Sequence, residues 1–142
     1  MEKKKILFIC NENTARSQMA EAFMNEIGKE RYEASSAGLE IGVEVNPYVI
    51  EIMSELGYDI SLNEAKDAFE LYKAHNDYDY IITLCDEIKD KKCPEFPGIK
   101  KRLHWGFPDP SSFKGAKEDI LFNIRKVRDS IKSKIEEFVK EN

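Results

Sequence analysis

Ile6-Leu7-Phe8-Ile9-Cys10-Asn11-Glu12-Asn13-Thr14-Ala15-Arg16-Ser17 passes from an unbroken apolar run into a polar turn, and then into a helical stripe made of Ala20, Phe23, Met24 and Ile27. A short continuous apolar run reads as a strand covered on both faces. Apolar residues at i, i+3, i+4 and i+7 read as a helix, here Ser17 to Ile27, with Gly28 placed to end it. The stretch is therefore a strand-to-helix turn with a thiol at one end and a guanidinium at the other. Backbone N–H groups of such a turn and of the first helical turn, together with the helix dipole, make an anion site. The same field lowers the pKa of a thiol at the position of Cys10 and makes it a nucleophilic thiolate. Arg16 offers a planar fork suited to two oxygens of a tetrahedral oxyanion. A cysteine ending a core strand is also read as a small buried hydrophobe; Cys, five residues, Arg, then Ser at a strand–helix junction favours the thiolate facing an oxyanion.

The chain has 142 residues, 42% of them hydrophobic, which suffices for one well-filled core and predicts a single domain over 1–142. A net charge of −5 argues against nucleic acid or an anionic membrane as the main partner, so an anionic substrate must be captured locally. Met1-Glu2-Lys3-Lys4-Lys5 is basic, but the apolar run after it is too short for a signal-peptide core, and no run approaches membrane-spanning length. The expected location is the cytoplasm. In a reducing compartment Cys10, Cys85 and Cys93 read as catalytic, redox or metal-binding, and an odd number cannot all pair within one chain. No close Cys pair exists and His75 and His104 supply no recognisable ligand spacing, so neither a metal nor a cofactor is expected.

Beyond the turn, Tyr32 to Ser36 reads as a strand closed by Ala37-Gly38. Asn46-Pro47 is an N-cap followed by proline at the first helical position, opening a helix whose buried face is Val49, Ile50, Met53 and Leu56 before Gly57. Ser61 or Asn63 is placed to cap a third helix through Ala65, Ala68, Phe69 and Tyr72. Tyr80 to Cys85 is β-branched and nearly continuous in apolar character, as doubly covered strands are. Residues 86 to 98 are charged and punctuated by Pro94, Pro97 and Gly98, and read as a surface segment outside the core. Lys100 to Trp105 is the next strand, and Ile120, Ile124, Val127, Ile131, Ile135 and Phe138 mark a long C-terminal helix. Strands alternating with helices predict an α/β fold, a three-layer single domain with a central four-stranded parallel sheet and helices on both faces. Right-handed crossovers then bring Cys10, Cys85 and Asp109, each at or after a strand's C-terminal end, to one edge of the molecule.

With Cys10-X5-Arg16-Ser17 near the start and Asp109-Pro110 in a late loop, the sequence resembles the low-molecular-weight protein tyrosine phosphatases. Within that fold it is most similar to the thioredoxin-coupled arsenate reductases, through Arg16-Ser17-Gln18-Met19-Ala20-Glu21, Ser36-Ala37-Gly38, Thr83-Leu84-Cys85, Cys93-Pro94 and His104-Trp105-Gly106-Phe107. The resemblance implies that Cys10 attacks arsenic while Arg16 and the loop Asn11, Glu12, Asn13, Thr14, Ala15, Arg16 and Ser17 hold the oxyanion. It further implies that Asp109 is the general acid, that Cys85 attacks the Cys10 sulfur, and that Cys93 resolves the result into Cys85–Cys93, which thioredoxin reduces. Two thiols closing into one disulfide release the two electrons that arsenate reduction takes, whereas a phosphatase needs one cysteine. If 85 to 93 were helical, their Cα atoms would lie about 12 Å apart, and a disulfide needs roughly 7 Å or less, so that pairing requires the segment to refold or loop out. Pro108 and Pro110 stiffen the loop that presents Asp109.

The resemblance also gives Ser17 a hydrogen bond to the Cys10 thiolate and Asn13 the task of fixing the loop backbone, while His104 and Trp105 read as structural. Three positions depart from the family pattern: Glu12 stands where Gly is frequent, Ala15 where a further Cys is frequent, and seven residues separate Cys85 from Cys93. Some members hold potassium beside the loop through residues matching Asn13, Glu21, Ser36 and an Asp; Lys66 stands at that Asp position, and its ammonium is expected to replace the ion. A monomer is expected. Two alternatives remain on the residues: a tyrosine-phosphate phosphatase using Cys10, Arg16 and Asp109, against which Ser111-Ser112 replaces the paired tyrosines typical of those enzymes, and a non-catalytic anion-binding or phosphocarrier domain, which does not require Arg16.

Overall fold

Alternate residues of the first strand serve opposite sides of the molecule. In the computed structural model, which describes residues 2–85, 96 and 98–141, β1 (Lys4–Cys10) sends Ile6 and Phe8 into one apolar cluster and Leu7 and Ile9 into another. All four are fully buried, each contributing roughly 1.5–3 kcal/mol of burial free energy. That is why the run is unbroken: a strand covered on both faces has no side left to be polar.

Four parallel strands form the sheet in the order β2-β1-β3-β4, with β2 Tyr32–Gly38, β3 Tyr80–Thr83 and β4 Lys101–His104. Helices α1 (Arg16–Ile27), α2 (Pro47–Ser54) and α4 (Lys117–Glu141) pack over the Ile6/Phe8 face. The Leu7/Ile9 face is covered by α3 (Ala68–Lys73), through Ala68 and Leu71, and by Phe96. This is the predicted three-layer α/β architecture. The chain leaves β1 toward β2 on one side and returns to place β3 on the other, so the order reverses at the carboxyl ends of β1 and β3. Ligands of open α/β sheets bind at such a crevice.

Several boundaries differ from the sequence reading. β2 continues to Gly38 because it pairs with β1 along its whole length, Cys10 opposite Gly38. α2 has the expected Asn46 cap, whose side chain accepts from the Tyr48 amide, but it ends at Ser54. Leu56 therefore falls in the closing turn with Gly57 at φ +87° and is exposed, while Ile52 takes the buried place. α3 begins at Ala68, capped by Asp67 rather than Ser61 or Asn63. Ser61 hydrogen-bonds Asp59, Asn63 donates to Gln18 of α1, and the Lys66 amide donates to Asn13 of the Cys10 loop, which draws their groups away from a helix. Phe96, expected on the surface, is buried edge-on against Tyr78 at 5.2 Å and Tyr72 at 5.8 Å. Trp105 is core as expected, between Phe8 and Phe138, whereas His104 is exposed with Nδ1 2.6 Å from Thr83 Oγ1. In α4 the predicted stripe is buried from Ile124 to Phe138 and Ile120 packs against it.

Candidate active site

The turn after β1 is shaped by where its carbonyls go. Leu39 N donates to Cys10 O (3.2 Å), Glu40 N to Asn11 O (2.9 Å), Gly42 N to Glu12 O (3.0 Å) and Asn46 N to Thr14 O (2.9 Å). Asn13 O accepts from Gln18 Nε2 at 3.1 Å. Five successive carbonyls are thus drawn outward by groups outside the turn. The C=O and N–H of a trans peptide point in opposite directions, so outward carbonyls at 10–14 turn the following amides inward, as in an anion-binding nest. Ala15 at the N-cap of α1 makes no side-chain cap hydrogen bond, so the helix opens with no side chain competing for its first amides.

Close approach of the second strand makes the turn possible. A Cβ on Gly38 would lie 2.7 Å from Asn11 O, 2.9 Å from Glu12 C and 3.0 Å from Asn13 N, all backbone atoms. Asn13 is fully buried at φ +59°, a left-handed conformation that Asn tolerates better than most residues. Its Nδ2 donates to Ser17 Oγ at 2.7 Å, and its Oδ1 accepts from the Lys66 amide at 2.8 Å and from Gln18 Nε2 at 3.1 Å. The expected role of Asn13 in fixing the backbone has this geometry behind it. Ser17 Oγ thus accepts from Asn13, in a structure where Cys10 is oxidised.

Inside the turn lies a cavity of about 80 Å³ lined by Cys10, Asn11, Glu12, Asn13, Thr14, Ala15, Arg16 and Asp109. Arg16 is buried; Nη1 donates to Phe107 O at 2.9 Å and Nη2 lies 3.7 Å from Asp109 Oδ1. Asp109 is half-exposed, and its Oδ1 also accepts from the amide and hydroxyl of Ser111 at 2.9 and 2.8 Å, which fixes the carboxylate over the cavity. Pro110 and the short 3-10 turn Pro110–Ser112 hold it from behind.

Cys10 and Cys85, 75 residues apart in sequence, are joined by a disulfide with a Cα–Cα separation of 5.6 Å. Sheet register places them there: Ile9 lies opposite Thr83, so the chain ends of β1 and β3 arrive together. Both cysteines are buried. Cys93 lies outside the described residues, as does the expected rearrangement of 85 to 93.

Beside the turn, Ser36 Oγ donates to Glu21 Oε1 at 3.0 Å and Lys66 Nζ sits 3.5 Å from the same oxygen. The Lys66 ammonium therefore stands against the Glu21 carboxylate. Among the described residues no group of His, Cys, Asp and Glu is arranged to hold a metal ion.

Two parts of the site were missed. Gln18, fully buried at the start of α1, joins Asn13, Glu64 O and Asn63 in one network; its signal was a polar side chain on the inward side of the helix's first turn. Residues 39 to 46 act through backbone amides, which leave no mark on residue identity.

Comparison with known proteins gives a consistent answer. The profile of the family described as low molecular weight phosphotyrosine protein phosphatase matches residues 5–141. An arsenate reductase of Shouchella clausii is 40% identical over 138 residues, covering 97% of this chain and 96% of that protein. The solved structure of an arsenate reductase in its oxidised state superposes with a TM-score of 0.78 at 30% identity, over 97% of this chain and 98% of the other. The thioredoxin-dependent arsenate reductase of Corynebacterium glutamicum gives 0.70 at 29% identity, over 99% of this chain and 62% of that one.

Proposed function

This chain belongs to the low molecular weight phosphotyrosine protein phosphatase family, and from that premise we propose that it reduces arsenate to arsenite through Cys10, Cys85 and Cys93, with thioredoxin as electron donor. The observation that carries the reading is the disulfide that joins Cys85 to Cys10, a residue lining an oxyanion-sized cavity. Hydrolysis of a phosphate ester takes one nucleophilic thiol, and the hydrolytic step gives no part to a second thiol within bonding distance of it.

Arsenate enters the cavity with its oxygens toward the inward amides of the turn and the Arg16 guanidinium. The Cys10 thiolate attacks arsenic, an As–S bond forms, and one arsenic oxygen leaves as water with a proton from Asp109. Cys85 as thiolate then attacks the Cys10 sulfur. The S–S bond forms as the As–S bond breaks, its electron pair stays on arsenic, As(V) becomes As(III), and arsenite departs. Cys93 attacks the Cys85 sulfur and releases Cys10 as thiolate. The dithiol of thioredoxin reduces Cys85–Cys93 and is itself oxidised. Two electrons enter and two leave per cycle.

The test supplies reduced protein with arsenate, thioredoxin, thioredoxin reductase and NADPH. Arsenate-dependent NADPH oxidation is expected in the wild type and lost in Cys10→Ser, Cys85→Ser and Cys93→Ser, with a Cys10–Cys85 disulfide accumulating in Cys93→Ser. Turnover that survives both Cys85→Ser and Cys93→Ser overturns the relay. Hydrolysis of an aryl phosphate without arsenate reduction favours the phosphatase reading.

A further inference from the structure

The oxyanion cavity opens sideways. Glu12 and Thr14, which line it, also line a groove of about 580 Å³ whose remaining walls include Val43, Pro47, Tyr48, Pro110, Phe113 and Ile120. Pro110 follows Asp109 in the chain, so the groove begins where the carboxylate over the cavity ends. Gly42 and Asn46, whose amides hold the carbonyls of Glu12 and Thr14, line it as well. Val43 is fully exposed, and Tyr48 and Phe113 are half-buried with apolar surface left open. Inorganic arsenate, a compact tetrahedron, has no group to place in this groove, and no step of the relay uses it. Its volume falls in the range, about 300–1,000 Å³, of sites that bind organic molecules.

We propose that the protein also reduces organic arsonates, R–AsO3, in which three oxygens occupy the cavity and an aryl R lies along the groove against Tyr48, Phe113 and Pro47. The proposal rests on the arsenate reading, since it uses the same thiols. The electron count is unchanged. Cys10 forms the As–S bond and one oxygen leaves as water with a proton from Asp109. Cys85 attacks the Cys10 sulfur, the As–S pair remains on arsenic, and the trivalent R–As(OH)2 departs with its As–C bond intact. Glu12 and Glu44, both exposed at the groove's rim, set the charge preference: neutral aryl substituents are accepted and anionic ones repelled.

A single-turnover assay without thioredoxin tests this, because the reduced protein is then the sole reductant. Acid-quenched Cys93→Ser protein, treated with phenylarsonate or with inorganic arsenate, is scored by mass spectrometry for the Cys10–Cys85 disulfide, and the released arsenical is identified chromatographically. Phenylarsonate is expected to form the disulfide and yield phenylarsonous acid, and 4-aminophenylarsonate to react at least fivefold faster than 4-carboxyphenylarsonate. Tyr48→Ala and Phe113→Ala are expected to slow phenylarsonate at least tenfold while arsenate stays within twofold. Val43→Ser, at a fully exposed position, gives a smaller loss of the same kind if either larger truncation fails to fold. Arsenate forming the disulfide while phenylarsonate does not, whether or not phenylarsonate competes, overturns the proposal and leaves the arsenate reading intact. Equal slowing of both substrates by the groove variants also overturns it. Failure of both substrates overturns the arsenate reading, and this proposal with it.

Discussion

Gln18 Nε2 stands 3.1 Å from both the backbone and the side-chain oxygen of Asn13, and 3.1 Å from Glu64 O, while Gln18 Oε1 accepts from Asn63 Nδ2 at 3.1 Å. One buried amide therefore ties the left-handed residue of the oxyanion turn to the strap formed by residues 63 to 66. Gln18→Leu leaves acceptors of a buried network unpaired, at about 1–3 kcal/mol, and frees Asn13 to leave its strained conformation. The expected result is a rise of roughly tenfold in the arsenate KM with a smaller change in kcat. Gln18→Glu, which keeps the size and loses the donor, is expected to raise KM as well; a wild-type KM in that variant would remove the donor role.

Gly38 makes a sharper demand. Because its missing Cβ would meet three backbone atoms of residues 11 to 13 at 3.0 Å or less, Gly38→Ala cannot be absorbed by a side chain swinging aside. The turn itself must shift, at about 1–3 kcal/mol, and the inward amides shift with it. A lowered urea midpoint together with weakened phosphate binding, followed by calorimetry on the reduced protein, is the expected pair of outcomes. A midpoint shift alone would separate the glycine from the anion site.

These two residues mark how far the sequence could be read. Side-chain chemistry was legible: Cys10, Cys85 and Asp109 converge because each stands at or after a strand's carboxyl end, Arg16 opens the helix that follows the first of them, and parallel crossovers admit few other arrangements. The unbroken Ile6–Ile9 run gave the doubly covered sheet for the same reason. Backbone chemistry was not legible. The amides of Leu39, Glu40, Gly42 and Asn46 that draw the turn's carbonyls outward come from residues of unrelated type, since any residue but proline carries the donor. The start of α3 was misplaced on similar grounds, as Asn63 and Lys66 had already been taken by Gln18 and Asn13.

Glu55 links α2 to α4. Arg125 binds its carboxylate through Nε at 3.0 and 3.1 Å and Nη2 at 2.7 Å, and buried Arg128 adds Nη1 at 2.8 Å. The hydrogen bonds from Arg125, with those from Arg128 and the charge of both, hold its pKa below the usual glutamate value. A depressed native pKa contributes stability that is present above the unfolded value, about 4.3, and is lost as pH falls through the lower native value. Glu55→Gln is therefore expected to lower the urea midpoint at neutral pH, with the gap to wild type closing on the acid side of pH ~4.3. Urea titrations between pH 3 and 7 measure it, and a gap that widens on acidification would reverse the sign assigned here.

Lys66 sets a tethered positive charge beside Glu21. Its ammonium lies 3.5 Å from Glu21 Oε1, which also accepts from Ser36 Oγ, and its own amide holds Asn13 Oδ1 at 2.8 Å. A fixed positive charge beside Glu21 leaves a hard cation little reason to bind, since it would face an ammonium where it needs oxygen ligands. The wild-type melting temperature and arsenate KM are therefore expected to be the same in potassium and sodium chloride at equal ionic strength. Lys66→Asp sets a second carboxylate against Glu21, so it should be destabilised in the absence of a suitable cation and regain several degrees in potassium relative to sodium. Lys66→Met removes the charge without adding an oxygen and should melt lower in both salts with no preference. A wild-type protein that responds to potassium would mean that the ammonium swings aside and the ion still has a place beside Asn13.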